Sequence, residues 1–160
     1  MHLNQKKNII CVGVGNPYRR DDGAGLFIIR ELKKTDYPSV FFAGPQREGV
    51  DIVELWKDFD AAYIFDAVSS GRPAGTILRF TIPPDDIPKS IFNFSTHAYN
   101  IADVIQLARA LKQVPPQIYI YGVEGKSFAD GPGLSEEVKA AALHIVEEVK
   151  EKFRAVSASP

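Results

Sequence analysis

The stretch NIICVGVGNPYRRDDGAGLFIIREL, residues 8–32, decides the fold. Its opening, Asn8–Val14, is apolar and β-branched without polar alternation, the pattern of a strand covered on both faces. Its close, Gly23–Lys34, sets Gly25, Ile28, Ile29 and Leu32 at helical spacing, with Asp21 and Asp22 at the positive N-terminal end. Strand, glycine-rich loop and helix thus follow one another within one short stretch.

Working outward, the same alternation continues. VFFA (Val40–Ala43) reads as a short strand, Gly49 to about Lys57 as a helix, and AAYIFDAV (Ala61–Val68) as a second buried strand. SGRPAG is turn chemistry leading into the strand TILRFTI, and Pro83–Asn93 reads as irregular loop. Residues 97–112 form a helix with Ile101, Val104, Ile105, Ala108 and Leu111 on one face and Ser95 or Thr96 as N-cap. QIYIYGV is the fifth strand, and Ser135 caps a last helix whose buried face carries Val138, Ala141, Ala142, Ile145 and Val149. The predicted fold is α/β: a three-layer arrangement, with a twisted, mostly parallel five-stranded sheet and helices on both faces.

The 160 residues, 45% of them hydrophobic, suit a single domain over 1–160, with its core at 8–153 and a frayed tail, AVSASP. A net charge of −1 advertises neither nucleic acid nor an anionic membrane as a partner. MHLNQKKN is basic, but no apolar signal region follows it, and no segment approaches the roughly 20 apolar residues of a membrane span. The single cysteine, Cys11, excludes an internal disulfide and fits a reducing compartment. The expectation is a soluble, cytoplasmic monomer.

Ligands of open α/β sheets bind at the carboxyl ends of the strands. Asn16, Asp21 and Asp22 follow the first strand there, Asp66 ends YIFD, His97 opens a helix, and Glu124 follows the fifth strand. Each also has a plain structural reading. One of Asp21 and Asp22 caps the first helix, and neighbours in a turn seldom aim at one point, so one of the pair is expected in the site. Asp66 could form an Asx turn, but a charged residue closing an apolar strand is costly unless paired. His97 could be solvated, and Glu124 could pair with Lys126 or Arg79.

Two carboxylates and an imidazole suit a divalent transition metal such as nickel or zinc, with open positions left for water or substrate. Other metal-binding and nucleophile motifs are missing from the chain. There is no His-Glu-x-x-His, no Cys-x-x-Cys and no Gly-x-Ser-x-Gly, and Cys11 lies mid-strand. The glycine loop is no dinucleotide cradle, because Tyr18 stands where a third glycine is needed and Pro17 interrupts the approach to the helix.

Together, GVGNPYRRDDGAG, YIFDAVSSGRPAGT, STHAYNIADVIQLA and YGVEG…GPGLSEEV resemble, in order, the hydrogenase maturation proteases, from about Asn8 to Lys150. The resemblance implies a twisted, predominantly parallel α/β protein. It implies removal of a C-terminal extension from the nickel–iron hydrogenase large-subunit precursor after nickel insertion. By position the metal-contacting residues are Asp22, Asp66 and His97, with Asp22 and Asp66 as the catalytic carboxylates. Asn16, Asp21 and Glu124 are assigned to substrate binding or support. The nickel is expected to arrive with the substrate, and zinc or cadmium are other divalent ions for the same ligands. Metal-assisted hydrolysis and carboxylate general-base catalysis both remain open. Some members carry glutamate at the position of Asp22, and many have a Gly-Thr-type segment where this chain has Gln46, Arg47 and Glu48.

Two other classes stand beside this. VGVGNPY also resembles the opening of bacterial peptidyl-tRNA hydrolases, but RRDDGAG follows here, and the charge balance does not promise a tRNA surface. The other is a non-catalytic nickel-binding assembly factor using the same three ligands.

Overall fold

A computed structural model describes residues 7–44, 49–88 and 100–158. Five strands form one sheet: β1 (Ile9–Gly13), β2 (Val40–Phe42), β3 (Ala61–Val68), β4 (Ile77–Ile82) and β5 (Gln117–Glu124). Their order is β2-β1-β3-β5-β4, with β4 antiparallel to β5 and every other pair parallel. The helices are α1 (Ala24–Leu32), α2 (Gly49–Trp56), α3 (Ile101–Ala110) and α4 (Glu136–Ala158).

The strands alternate sides, and both sides are dry. Ile9, Cys11, Tyr63 and Phe65 pack with α1 and α4, while Ile10, Val12, Ile64 and Val68 pack with α2 and α3. Burial on both faces explains the continuous apolar runs of β1 and β3. Burial also pushes the Cys11 thiol well above its usual range, which makes it a poor nucleophile.

The topology locates a crevice. The chain leaves β1 through α1 to β2 on one side, then returns through α2 to β3 on the other. The carboxyl ends of β1 and β3 therefore form the switch point where α/β sheets take ligands. Two glycines allow the backbone to close there. Gly15 has φ +137°, and a Cβ on it would overlap the Asp22 carbonyl oxygen. A Cβ at Gly25 would run into the carbonyl oxygens of Phe65 and Val14, so only glycine lets α1 press against the β1–β3 junction.

Three expectations are corrected. The third helix begins at Ile101 rather than 97, and its N-cap is Asn100, whose side chain accepts from the Ala102 amide at 2.8 Å. Ser95 and Thr96, the expected caps, lie outside the described residues. At the C-terminus, α4 continues to Ala158 instead of fraying at Ala155. Residues 155–158 contain no helix breaker, and Phe153, edge-on to Tyr37 and Tyr63, anchors the preceding turn. The first helix starts at Ala24 behind a short 3-10 turn, Arg20–Gly23, and has no side-chain cap. Asp21 and Asp22 sit inside that turn, so neither caps α1.

Candidate active site

The loop after β1 carries Asn16, Asp21 and Asp22, and local bonds shape it. The Asn16 side chain accepts from the Tyr18 amide at 2.9 Å, an Asx turn, and the Asn16 amide donates to Asp22 Oδ2 at 3.1 Å. The Asp22 amide donates to the Arg19 carbonyl at 3.1 Å, closing the 3-10 turn. Asp22 is wholly buried, and its turn packs against β3.

Asp66 is 5% exposed and lies within β3, in register with Gly122 of β5. The strand runs two residues past it to Val68, so Asp66 belongs to the ladder instead of terminating it. By alternation it shares a face with Ile64 and Val68, on the α2–α3 side. Gly122 adds no side chain beside it. The Val14 amide donates to the Phe65 carbonyl at 2.9 Å, joining the start of the first loop to β3 immediately before Asp66. Asp22 and Asp66 thus flank the switch point on adjoining segments.

Asp21 turns the other way and is also wholly buried. It accepts from the amides of Lys126 (2.8 Å), Ser127 (2.9 Å) and Ser135 (2.7 Å), and from the Ser135 hydroxyl (2.8 Å). Burial alone would raise the Asp21 pKa, but these bonds from the loop before α4 outweigh it and hold the carboxyl below its ordinary range. Three of these donors meet Oδ2 and one meets Oδ1, so both oxygens of Asp21 are engaged by the protein.

Glu124, at the end of β5, is 2% exposed and does similar work on the opposite flank. It accepts from the Ser70 amide (2.8 Å), the Ser70 hydroxyl (2.6 Å) and the Gly71 amide (3.1 Å), fixing the turn between β3 and β4. It pairs with neither of the cations considered from sequence: Arg79 engages Glu148, and Lys126 engages Glu137.

His97 lies outside the described residues, as do Gln46, Arg47 and Glu48. Among the described residues, no three His, Cys, Asp or Glu side chains are grouped to hold a metal ion, and no helix is long and apolar enough to cross a membrane. Asp22 and Asp66 are donors of the type a borderline divalent ion accepts, and an imidazole would complete a mixed set.

Sequence reasoning missed the loop before α4 as part of this edge. Gly131 donates to the Tyr18 carbonyl and accepts from the Arg20 amide, both at 2.8 Å. The Ser127 carbonyl accepts from the Asp21 amide at 3.0 Å. Arg20 is held at φ 48°, a left-handed conformation that costs a non-glycine residue about 1–3 kcal/mol and persists only where its surroundings impose it. The signal in the sequence is GPGLSEEV, which reads as a stretch shared with the maturation proteases and, at Ser135, as a helix cap.

The fold and this edge define a doubly wound α/β protein with carboxylates at its switch point, and comparison with known proteins narrows the class. The family model described as HycI, hydrogenase maturation protease, matches residues 28–152. The chain belongs to the hydrogenase maturation protease family and is a peptidase. Asp66 and His97 fall within the matched span, and Asp22 lies upstream of it. MJ0253 of Methanocaldococcus jannaschii is 29% identical over 149 residues, covering 89% of this chain and 94% of that one. The hydrogenase expression/formation protein HoxM of Cupriavidus necator is 28% identical, over 91% of this chain and 74% of HoxM. The hydrogenase maturating endopeptidase HybD from Escherichia coli superposes with a TM-score of 0.79 at 25% identity, over 92% of this chain and 93% of HybD. The family placement sets aside the peptidyl-tRNA hydrolase and non-catalytic readings.

Proposed function

We propose that this protein removes the C-terminal extension of a nickel–iron hydrogenase large-subunit precursor once nickel is in place. Asp22, Asp66 and His97 engage the substrate-borne ion. The observation that carries the reading is the placement of two buried carboxylates, Asp22 and Asp66, on adjoining segments at the β1–β3 switch point of a maturation-protease fold.

The physical logic is a checkpoint. Carboxylate and imidazole donors add affinity for a divalent ion carried by the substrate, so a metal-loaded precursor binds more tightly than an empty one. The polypeptide of the precursor is the same in both states, and only the ion distinguishes them. Hydrolysis then needs a polarised scissile carbonyl and an activated water, which the ion or one carboxylate supplies.

Purified protein is incubated with nickel-loaded and nickel-free precursor, and the large subunit is followed by intact mass. Shortening of the loaded form alone is expected. Equal shortening of both forms overturns the checkpoint, and binding without cleavage overturns the assignment as its protease. His97→Ala should abolish processing while circular dichroism stays unchanged. A His97→Ala protein that trims loaded precursor at the normal rate removes His97 from the site.

A further inference from the structure

We infer that Asp21 is a positioning residue for Asp22, through which the loop before α4 sets the geometry of the catalytic edge. This deepens the proposed function and rests on its assignment of Asp22 to the site.

Asp21 and Asp22 are consecutive in one 3-10 turn, so their side chains leave the backbone in different directions. Asp21 reaches across to residues more than a hundred positions away, Lys126, Ser127 and Ser135. Asp22 reaches back to the Asn16 amide. The turn that carries them is tied to residues 127–131 by three more bonds: the Arg20 amide donates to the Gly131 carbonyl, the Asp21 amide to the Ser127 carbonyl, and the Arg19 guanidinium to the Phe128 carbonyl at 3.3 Å. Arg20 keeps its left-handed φ inside this attachment.

A turn so constrained transmits position. If Asp21 is fixed against 126–135, the adjacent Cα of Asp22 is fixed as well, together with the line from Asp22 to the Asn16 amide. Four protein donors engage the Asp21 carboxylate, three at Oδ2 and one at Oδ1, so its side chain is committed to the loop before α4. Catalysis is sensitive to ångström-scale placement of reacting groups, so loosening the clamp should lower the rate in molecules that remain folded.

Asp21→Asn, Ser135→Ala and Ser135→Thr are compared with the wild type. Ser135→Ala keeps the backbone amide and the Asp21 charge but loses the hydroxyl, and it serves if Asp21→Asn fails to fold. Single-turnover cleavage is measured on loaded precursor at a temperature where melting curves show each protein folded. The expected result is at least a tenfold slower rate in Asp21→Asn, a smaller loss in Ser135→Ala, and recovery in Ser135→Thr. A purely structural role would lower the melting temperature and leave the rate of folded molecules unmoved, which overturns the inference.

A second readout needs no activity. Hydrogen exchange at the Asn16 amide, relative to the core amide of Ile64, should accelerate at least tenfold in Asp21→Asn or, failing that, in Ser135→Ala. Unchanged relative exchange overturns the inference. If wild-type protein does not cut the precursor, the proposed function falls, and the exchange measurement alone decides whether Asp21 holds Asp22 in place.

Discussion

Two buried acids brace the carboxyl edge of the sheet from opposite flanks, and they are built alike. Asp21 gathers the loop before α4, and Glu124 gathers the turn after β3. Each takes backbone amides and one serine hydroxyl, Ser135 or Ser70. The difference lies in what adjoins them. Asp21 is followed directly by Asp22 in the same constrained turn. Glu124 sits on β5, and the turn it holds starts two residues past the end of β3. The first clamp therefore acts on the site through one peptide unit, and the second through a strand end. A carboxylate held by several amides serves as architecture, even when a second buried carboxylate stands beside it.

The comparison can be broken directly. Asp21→Ala leaves three part-buried amides without their carboxylate, and at about 1 kcal/mol or more for each unmet group it should cost roughly 3 kcal/mol. Glu124→Ala strands the Ser70 and Gly71 amides and should cost less, about 2 kcal/mol. Urea melts order the two, and a reversed order would show Glu124 to be the stronger brace.

Acid sharpens the contrast. The Asp21 pKa is lowered on folding, so its stabilisation is present above the unfolded carboxylate value of about 3.9 and is lost as pH falls through the lower folded value. Subtracting the Asp21→Asn stability from the wild-type stability should give a difference that is flat near neutrality and shrinks below about pH 4. A difference that grows with acid would show the shift to be upward.

The smallest effect belongs away from both clamps. Arg79 binds Glu148 with two bonds, at 2.9 and 3.0 Å, on the solvent side of β4 and α4. Arg79→Ala should cost about 1 kcal/mol or less, falling with salt. A loss equal to that of Asp21→Ala would remove the distinction between buried and exposed carboxylate partners.

Much of the fold was legible because its signals are local. The apolar runs of β1 and β3 and the helical spacing of Ile28, Ile29 and Leu32 can be read within a few residues. The start of α3 was misread for an equally local reason. Ser95, Thr96 and Asn100 are all good capping types, and the bond from the Ala102 amide to Asn100 identifies Asn100 as the cap of α3. The last turn of α4 carries no breaker, and Phe153 just before it packs edge-on to Tyr37 and Tyr63, contacts that no window of α4 contains.

By itself the sequence determined the α/β class, the strand–loop–helix opening and the position of Asn16, Asp21, Asp22, Asp66 and Glu124 near the carboxyl ends of the strands, because periodicity and turn chemistry are properties of neighbours. Only the tertiary structure decided what holds Asp21. The donors that bind it lie at Lys126, Ser127 and Ser135, and chain folding alone brings them to it.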